Sequence, residues 1–415
     1  MTPRMTKETL FRNARVLDVA AGVYLDNQSV LVRDGKIVAV AKDAHQQASA
    51  EAETIDVKGR VLMPGLCDGH VHVTAFTADF AMLGRTAPTY VSVRSSELLK
   101  GMTERGFTTV RDAGGADWGL AKAVNEGRIL GPRLLHCGRA LSQTGGHADM
   151  RGPGEQNLDQ CLCCSGLGTV CDGVPEMRKA CREEIRRGAT HLKLMVSGGV
   201  ASPTDRIDST QFALEEIRAA CEEAEAANIP VMAHAYTSRA VVRALECGVD
   251  SIEHGNLLDQ DAVDTLLRLD RWLVPTMSIY RALAEEGVDA GMPAELNAKV
   301  SDVLDAGRDA LRLAVKGGVK LVYGTDLLGQ MQRHQLNEFA LRSEFLAPID
   351  IIRSATTEAA NLFRMADRIG QVKEGMLADL LIIDGDVLDS VAPWADAENT
   401  IRMVMKEGVV QVAKG

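Results

Sequence analysis

Several features are scarce or absent in this 415-residue sequence, and each absence excludes a class of protein. No run of about 18 consecutive apolar residues occurs, so a membrane-spanning helix is not expected. The chain has 46 Lys and Arg against 57 Asp and Glu, and the resulting net charge of −11 makes nucleic acid and anionic membranes poor partners. Aromatic residues make up only 4%, so an aromatic-lined pocket for a purine or a sugar is not expected.

The N-terminal residues also lack the apolar segment of about 7–15 residues that a signal peptide contains. The nine cysteines are odd in number, so we expect free thiols in a reducing cytoplasm. The segment DQCLCCSGLGTVCDG holds Cys161, Cys163, Cys164 and Cys171. Their spacing fits no common zinc pattern, and we interpret them as buried or loop thiols.

Short segments of alternating polarity at both ends of the chain predict a β-rich domain. Residues 1–65 contain TLFRNARVLD, QSVLVRDGKIVAVA and AETIDVKGRVLMPG, and residues 371–415 contain similar segments. Gly, Asp and Asn turns separate them. We therefore predict that the two termini pair in one small β-sandwich domain.

The middle of the chain, residues 66–370, alternates short apolar strands with Ala-, Glu- and Arg-rich helices, which predicts an α/β fold. The predicted strands are GLCDGHVHV, TTVRDAGG, RLLHCGRAL, HLKLMVSGG, PVMAHAY, SIEHGN, WLVPTM and KLVYGTD. The predicted helices include PEMRKACREEIRRGA, ALEEIRAACEEAEAAN, SRAVVRALECG and AGRDALRLAVKGG. Eight strands with eight connections predict a (β/α)₈ TIM barrel. A doubly wound sheet is the alternative, although no phosphate-binding glycine fingerprint follows the first strand.

Metal-capable side chains concentrate at the predicted carboxyl ends of these strands, where a barrel places its active site. Nine histidines occur in the chain, and four of them lie at such ends. The residues at these ends are His70, His72, Lys193, His234, His254 and Asp326. His70 and His72 are two apart on one strand, so they share a face and could hold one ion. A lone histidine is more often a hydrogen-bonded core residue, but this combination favours a metal site.

The segments GLCDGHVHV, HLKLMVSGG, VMAHAY, SIEHGN and YGTD resemble, in order and context, the motifs of the amidohydrolase superfamily. The resemblance covers nearly the whole chain and implies a binuclear hydrolase whose strand-four lysine is carboxylated. Matched residue by residue, the more buried ion would be held by His70, His72 and Asp326. The more exposed ion would be held by His234 and His254.

The strand-four lysine, which would bridge the two ions, is Lys193. An unmodified lysine would place a positive charge beside two dications in a low-dielectric site. A carbamate is negative, and with the Asp326 carboxylate and a hydroxide it offsets most of that charge. The alternative is a salt-bridged lysine beside a single metal. We expect two divalent cations, with Zn²⁺ as the metal, although the same ligands accept Co²⁺ and Mn²⁺.

The loops resemble those of metal-dependent dipeptidases and carboxypeptidases, including prolidases, which are related to ochratoxin-hydrolysing amidases. These enzymes cleave an amide next to a free carboxylate. By that resemblance His147 and Tyr236 would bind the carbonyl oxygen or the carboxylate of the substrate. The alternative is that His147 fixes its loop and Tyr236 packs at the rim.

Other polar residues of these loops receive different interpretations. Arg333, after the last strand, could form a bidentate contact with a substrate carboxylate. Ser202, Thr204 and Asp205 are expected to shape their loop and not to touch the substrate. Asp326 is expected to take a proton from the attacking water and pass it to the leaving nitrogen.

The predicted function is therefore metal-dependent hydrolysis of a dipeptide or N-acyl amino acid beside a free carboxylate, as in an Xaa-Pro dipeptidase, a carboxypeptidase or an ochratoxin-type amidase. The alternative is a cyclic-amide hydrolase or deaminase of the imidazolonepropionase type, which often uses one metal and lacks the bridging lysine. A barrel without turnover is disfavoured by the full set of ligands. Small molecules are the expected partners, and a cytoplasmic homo-oligomer is expected because relatives often form rings.

Overall fold

The computed structural model describes residues 8–156 and 165–414. The strands assigned there are β1 (Glu8–Asp18), β2 (Val23–Arg33), β3 (Lys36–Ala41), β4 (Glu53–Asp56), β5 (Val61–Pro64), β6 (Leu66–Val71), β7 (Phe107–Asp112), β8 (Arg133–Leu135), β9 (Ala140–Ser142), β10 (Gly168–Val170), β11 (Leu192–Met195), β12 (Val231–Thr237), β13 (Ser251–Leu257), β14 (Trp272–Val274), β15 (Lys320–Leu321), β16 (Leu380–Ile383), β17 (Ile401–Lys406) and β18 (Val409–Ala413).

The α-helices assigned in the same ranges are α1 (Phe80–Arg85), α2 (Pro88–Glu104), α3 (Trp118–Asn125), α4 (Gly173–Arg186), α5 (Leu214–Ala226), α6 (Ser238–Glu246), α7 (Gln260–Arg268), α8 (Met277–Glu286), α9 (Ala294–Asn297), α10 (Ser301–Gly317), α11 (Asn337–Arg342), α12 (Pro348–Ser354), α13 (Thr357–Leu362), α14 (Ala392–Ala395) and α15 (Ala397–Thr400). Short 3₁₀ segments cover Ala44–Gln47, Ala298–Val300 and Gly329–His334. Among the described residues, no helix combines the length and the apolar character needed to cross a bilayer.

Both ends of the chain contribute strands to one mixed sheet, so the two termini pair, whereas the arrangement of these strands as a β-sandwich stays a prediction. Its order is β18-β17-β16-β5-β1-β2-β3, and β4 pairs with β1. The C-terminal strand β16 runs antiparallel to the N-terminal strand β5, with Leu381 opposite Met63. Phe11, Val30 and Leu62 are fully buried in an apolar cluster on this sheet. This burial fixes the register, because a shift by one residue would expose that face.

The middle of the chain forms parallel sheets with helices between the strands, which confirms the α/β class. One sheet has the order β6-β7-β8, and the other has the order β10-β9-β11-β12-β13-β14-β15. The predicted single strand RLLHCGRAL is in fact two strands, since β8 pairs with β7 and β9 pairs with β10 and β11. The break contains Gly138, whose φ is 72° and whose Cα packs against Glu184, so no other residue fits easily there.

Backbone hydrogen bonds also join the two parallel sheets to each other. Gly69 N donates to Tyr323 O at 2.7 Å, so β6 lies beside the segment that follows β15. Thr190 N donates to His136 O at 2.8 Å, so the residue after β8 lies beside the segment that precedes β11. These bonds bring the carboxyl end of β6 close to the segment that contains Asp326.

The helices cover the seven-stranded sheet with their apolar faces. Met177 of α4, Ile217 of α5, Val241 of α6 and Val263 of α7 are fully buried in one cluster with Leu194 of β11. Each such side chain contributes about 1.5–3 kcal/mol when it is fully buried. This apolar layer holds the strands in place, so their carboxyl ends can carry polar groups.

The close approach of β6 to the segment after β15 can be tested at Gly69. A Cβ at Gly69 would lie 2.8 Å from Val322 Cγ1 and 3.0 Å from Tyr323 O. We expect Gly69→Ala to lower the free energy of unfolding by about 1–3 kcal/mol, because the two segments must separate. The measurement is urea unfolding of the metal-free protein.

The matched control is Gly84→Ala in α1, where an added Cβ meets nothing within 4 Å. There we expect no loss, or a gain of up to about 1 kcal/mol from helix propensity. Equal losses in the two variants would show that β6 and Tyr323 are not packed as described.

Candidate metal centre

The carboxyl end of β6 and the segment after β15 bring three of the predicted ligands together. His70 Nε2 and His72 Nε2 lie 3.4 and 3.2 Å from Asp326 Oδ1. One ligand atom of each residue lies within 4.8 Å of the other two. Both histidines are buried, whereas the Asp326 side chain is 18% exposed. Two imidazoles and a carboxylate at this spacing can hold a divalent cation.

Strands β12 and β13 bring two further histidines to the same place. The ring centroid of His254 lies 4.9 Å from that of His70 and 4.7 Å from that of His234. His254 Nδ1 also lies 4.0 Å from Asp326 Oδ2. Three of the predicted histidines therefore lie around the Asp326 carboxylate, and the fourth, His234, adjoins them through His254.

Lys193 lies on β11, beside β12, and its side chain is buried. Burial lowers the pKa of Lys193 to about 8, although the negative charges of Glu253 and Asp326 act in the opposite direction. The amine is thus within electrostatic reach of the same Asp326 carboxylate. All six candidate ligands that were predicted from the strand ends therefore lie in this part of the fold.

Each histidine of the cluster has one ring nitrogen held by a neighbour outside it. The contacts are His70 Nδ1 to Glu253 Oε2 at 2.8 Å, His72 Nδ1 to Gly114 O at 3.0 Å, His254 Nδ1 to Thr276 Oγ1 at 2.8 Å and His234 Nε2 to Gly198 O at 3.1 Å. Such contacts orient imidazoles in metal sites and leave the second ring nitrogen available to the ion. The donor set and its outer partners therefore fit divalent cations.

The partner of His70, Glu253, is fully buried. Its Oε1 accepts hydrogen bonds from Arg111 Nη2 at 2.9 Å and from Ser251 Oγ at 2.7 Å. Arg111 Nε also donates to Gly69 O at 2.7 Å. Burial alone would raise the pKa of Glu253, but Arg111 and His70 lower it, so the group is a carboxylate. Sequence reasoning missed Glu253, although it directly precedes a predicted ligand.

The reason lies in the backbone of the strand ends. In a regular strand, Glu253 and His254 would point to opposite faces. His254 instead has a φ of 72°, and as a result both side chains approach His70. Asp326 has a φ of 57°. A left-handed conformation costs a non-glycine residue about 1–3 kcal/mol, and such strain concentrates at functional sites.

The two residues predicted to contact the substrate also border the cluster. The His147 ring stacks on the His234 ring with centroids 4.2 Å apart. The Tyr236 ring lies 4.7 Å from that of His234, and Tyr236 Oη accepts a hydrogen bond from Tyr280 Oη at 3.1 Å. Sequence reasoning missed Tyr280, because its position on α8 carries no local signal. His147 and Tyr236 are thus placed where a substrate of this site could meet them.

Arg333 is placed differently. Its Nη2 lies 2.5 Å from Glu286 Oε2, and its Nη1 donates to Gln330 O at 2.9 Å. The side chain is 53% exposed. Within the described part of the chain, its contacts are with α8 and its own turn and not with the histidines. The role of Arg333 in binding a carboxylate stays a prediction without structural support.

Of the predicted cysteine cluster, only Cys171 lies within the described residues, and it is a buried free thiol. Cys161, Cys163 and Cys164 lie outside them. The interpretation of these three as buried or loop thiols therefore stays a prediction.

Comparisons with known proteins identify the family of this chain. The model of the amidohydrolase family matches residues 61–410, and the chain belongs to that family. The ochratoxinase of Aspergillus niger is 32% identical over 345 residues, which cover 80% of this chain and 72% of the ochratoxinase.

Two solved structures extend the comparison. A prolidase complexed with N-methylphosphonate-L-proline is 44% identical, with a TM-score of 0.95 over 99% of this chain and 100% of that chain. An Xaa-Pro dipeptidase with methionine in its active site is 28% identical, with a TM-score of 0.87 over 97% of this chain and 99% of that chain. The family and the subgroup that the motifs predicted are thus confirmed.

The burial of Lys193 predicts a pH dependence of stability. Folding lowers the pKa of Lys193 from 10.5 to about 8. The free energy of unfolding is therefore reduced at every pH at which Lys193 would be protonated in the unfolded chain. The penalty is largest below about pH 8 and fades as the pH rises through 10.5. We expect Lys193→Met to stabilise the metal-free protein more at pH 7 than at pH 10, by roughly 2–3 kcal/mol. Urea unfolding in CO₂-free buffer measures this difference, and a difference that does not change with pH would contradict it.

Proposed function

We propose that this chain is a binuclear metal-dependent hydrolase that cleaves the amide bond of a dipeptide or N-acyl amino acid next to a free carboxylate. The observation that carries the proposal is the meeting of four histidines with Asp326, each histidine being held by an outer partner. Membership of the amidohydrolase family supports the reaction class.

The scaffold that we propose is a closed (β/α)₈ barrel, flanked by a sheet domain from residues 1–65 and 371–415. The bonds Gly69 N to Tyr323 O and Thr190 N to His136 O support closure, since they link the parallel sheets on both sides. The likeness in fold to the prolidase supports it as well. The homo-oligomeric state and the cytoplasmic location stay predictions.

In this proposal one cation is held by His70, His72 and Asp326 and a second by His234 and His254. When bound, divalent cations, expected to be Zn²⁺, supply Lewis acidity and lower the pKa of water. The outer partners of the histidines support this assignment, because they fix each ring before a cation binds.

We assign carboxylated Lys193 as the group between the cations. Only a neutral amine adds to CO₂, and the lowered pKa of Lys193 increases its neutral fraction at neutral pH. The product carries a negative charge where an ammonium would repel dications. Burial thus supplies the neutral amine that reacts, and the positive charge of bound cations would favour the carbamate.

Three groups act on the substrate in this proposal. Asp326 takes a proton from the attacking water and passes it to the leaving nitrogen. Burial opposes ionisation, but the neighbouring histidines hold the pKa of Asp326 well below its ordinary value, so it begins as a carboxylate. Tyr236 accepts its hydrogen bond from Tyr280, which leaves the Tyr236 hydroxyl proton for a substrate oxygen. His147 contacts the substrate from the ring that stacks on His234.

The apolar residues that pack with Tyr236 are consistent with hydrophobic substrates. Val200, Leu327, Leu328 and Met331 are buried in one apolar cluster that includes Tyr236. Burial of a substrate side chain there contributes about 25 cal/mol of free energy for each Å² of apolar surface removed from water. The prolidase, Xaa-Pro dipeptidase and ochratoxinase relatives are consistent with such substrates.

The second candidate is a mononuclear cyclic-amide hydrolase or deaminase of the imidazolonepropionase type. The observation that favours it is the compact group formed by His70, His72 and Asp326 alone. The two candidates differ in the number of cations per chain.

Metal counting separates the two candidates. We expect two equivalents of Zn²⁺ per chain after reconstitution with bicarbonate, and one or fewer in Lys193→Ala, because the bridging group is lost. Elemental analysis after gel filtration measures this. The control is Lys122→Ala, since Lys122 is 63% exposed on α3 and should leave the metal content unchanged. One equivalent in the unmodified protein would favour the mononuclear candidate.

Proton transfer by Asp326 is tested with a panel of Xaa-Pro dipeptides and N-acyl amino acids. We expect hydrophobic members to be hydrolysed and Asp326→Asn to lower kcat by about 10²–10⁴-fold while the four histidines retain metal. Asp309→Asn is the control, since Asp309 is 77% exposed and paired with Arg312. Full activity of Asp326→Asn would exclude the assigned role.

A further inference from the structure

A buried chain of polar groups leads from His147 into the loop that follows β11. His147 Nδ1 lies 2.7 Å from Ser202 Oγ, and Ser202 Oγ donates a hydrogen bond to Asp205 Oδ1. Ser202 is fully buried, and the Asp205 side chain is 3% exposed. We propose that Ser202 and Asp205 are positioning residues that hold neutral His147 with its proton on Nδ1 and its lone pair on Nε2.

The direction of each hydrogen bond follows from a backbone amide, which can only donate. His147 N donates to Gln211 Oε1 at 2.9 Å, so the amide group of Gln211 has a fixed orientation. Gln211 Nε2 must then donate, and its acceptor is Asp205 Oδ2 at 2.9 Å. Lys299 Nζ lies 3.9 Å from Asp205 Oδ1, which favours an accepting carboxylate on that side too.

The remaining protons follow from the capacity of each group. Ser202 has one hydroxyl proton, and it is donated to Asp205. The contact between Ser202 and His147 must therefore use an Oγ lone pair and a proton on His147 Nδ1. At pH 8 an imidazole with its ordinary pKa of about 6.5 has one ring proton. Because that proton is on Nδ1, Nε2 is an acceptor.

The surrounding loop holds this arrangement in place. Lys299 Nζ donates to three loop carbonyls, Gly199 O at 3.4 Å, Ser202 O at 2.9 Å and Asp205 O at 3.0 Å. A Cβ at Gly199 would lie 2.1 Å from His147 Cε1, so the glycine lets the loop backbone pack directly on the ring. The ring of His147 is thus confined between Gly199 and His234.

The consequence concerns the substrate and rests on the proposed function. A donating His147 would face a carbonyl oxygen or a carboxylate, as the sequence resemblance implies. A lone pair on Nε2 instead selects a hydrogen-bond donor, such as the ammonium group or an amide N–H of the substrate. Tyr236 remains the donor to substrate oxygen, so the two residues recognise groups of opposite character.

The tautomer can be measured directly on the full-length metal-loaded protein. Histidine labelled with ¹⁵N distinguishes a protonated from an unprotonated ring nitrogen, and comparison with His147→Asn identifies the signals. We expect His147 to show Nδ1–H and an unprotonated Nε2 at pH 8. Protonation at Nε2 in place of Nδ1 would overturn the proposal, and this measurement needs no substrate, so it stands apart from the proposed activity.

Variants test whether the chain matters for turnover. We expect Ser202→Ala to give a mixture of the two His147 tautomers and to lower kcat/KM by about 10–100-fold, with metal content unchanged. Ser202→Thr keeps the hydroxyl, so we expect it to have the single tautomer and the kcat/KM of the unmodified protein. Asp205→Asn should act in the same direction. The controls, in the same loop, are Ser209→Ala and Asp208→Asn, whose side chains contact Arg206. A loss of activity in Ser202→Ala without any change in tautomer would reduce Ser202 to a structural role and contradict the proposal.

Discussion

The site depends on one buried ion pair, between Arg111 and Glu253. Arg111 belongs to the three-stranded sheet and Glu253 to the seven-stranded sheet, and both side chains are almost completely buried. Removing one partner of such a pair costs about 3–5 kcal/mol, because the other charge is left without compensation. Since Glu253 also holds His70 and Arg111 also holds the carbonyl of Gly69, the pair fixes the strand end that carries the candidate metal ligands.

Buried hydrogen bonds also anchor the neighbours of the two residues with strained backbones, His254 and Asp326. Both residues have φ values in the left-handed region, and both lie next to residues that the buried network anchors. Asp68, fully buried on β6, accepts hydrogen bonds from the Thr325 hydroxyl at 2.6 Å and from the Thr325 amide at 3.2 Å. The cost of the strained conformations is offset by apolar burial in the helices, which lies away from the site.

Sequence alone predicted the elements with regular periods and missed the contacts that break them. His70, His72 and Asp326 were found because strand ends converge whatever the loops do. The split of the third strand into β8 and β9 was missed, because it depends on which neighbouring strands the two pieces pair with. Glu253 was missed because regular alternation places it on the opposite face from His254. Ser202 was predicted to shape its loop, but its contact with His147 was not predicted, because the two residues are 55 positions apart. Such contacts exist only once the chain is folded.

Most polar groups of the site, as the structure describes it, form hydrogen bonds with residues around the site, so few of them can contact a substrate. The histidines of the cluster are committed to their outer partners on one side. Asp326 is the partly exposed carboxylate of the cluster, Tyr236 has a hydroxyl proton to give, and His147 has a lone pair at Nε2. In the function that we propose, these three groups act as a base for the leaving nitrogen, a donor to a substrate oxygen and an acceptor from a substrate N–H. Selectivity beyond these three hydrogen-bonding groups then depends on the apolar residues that pack with Tyr236, because they add apolar contact area without further hydrogen bonds.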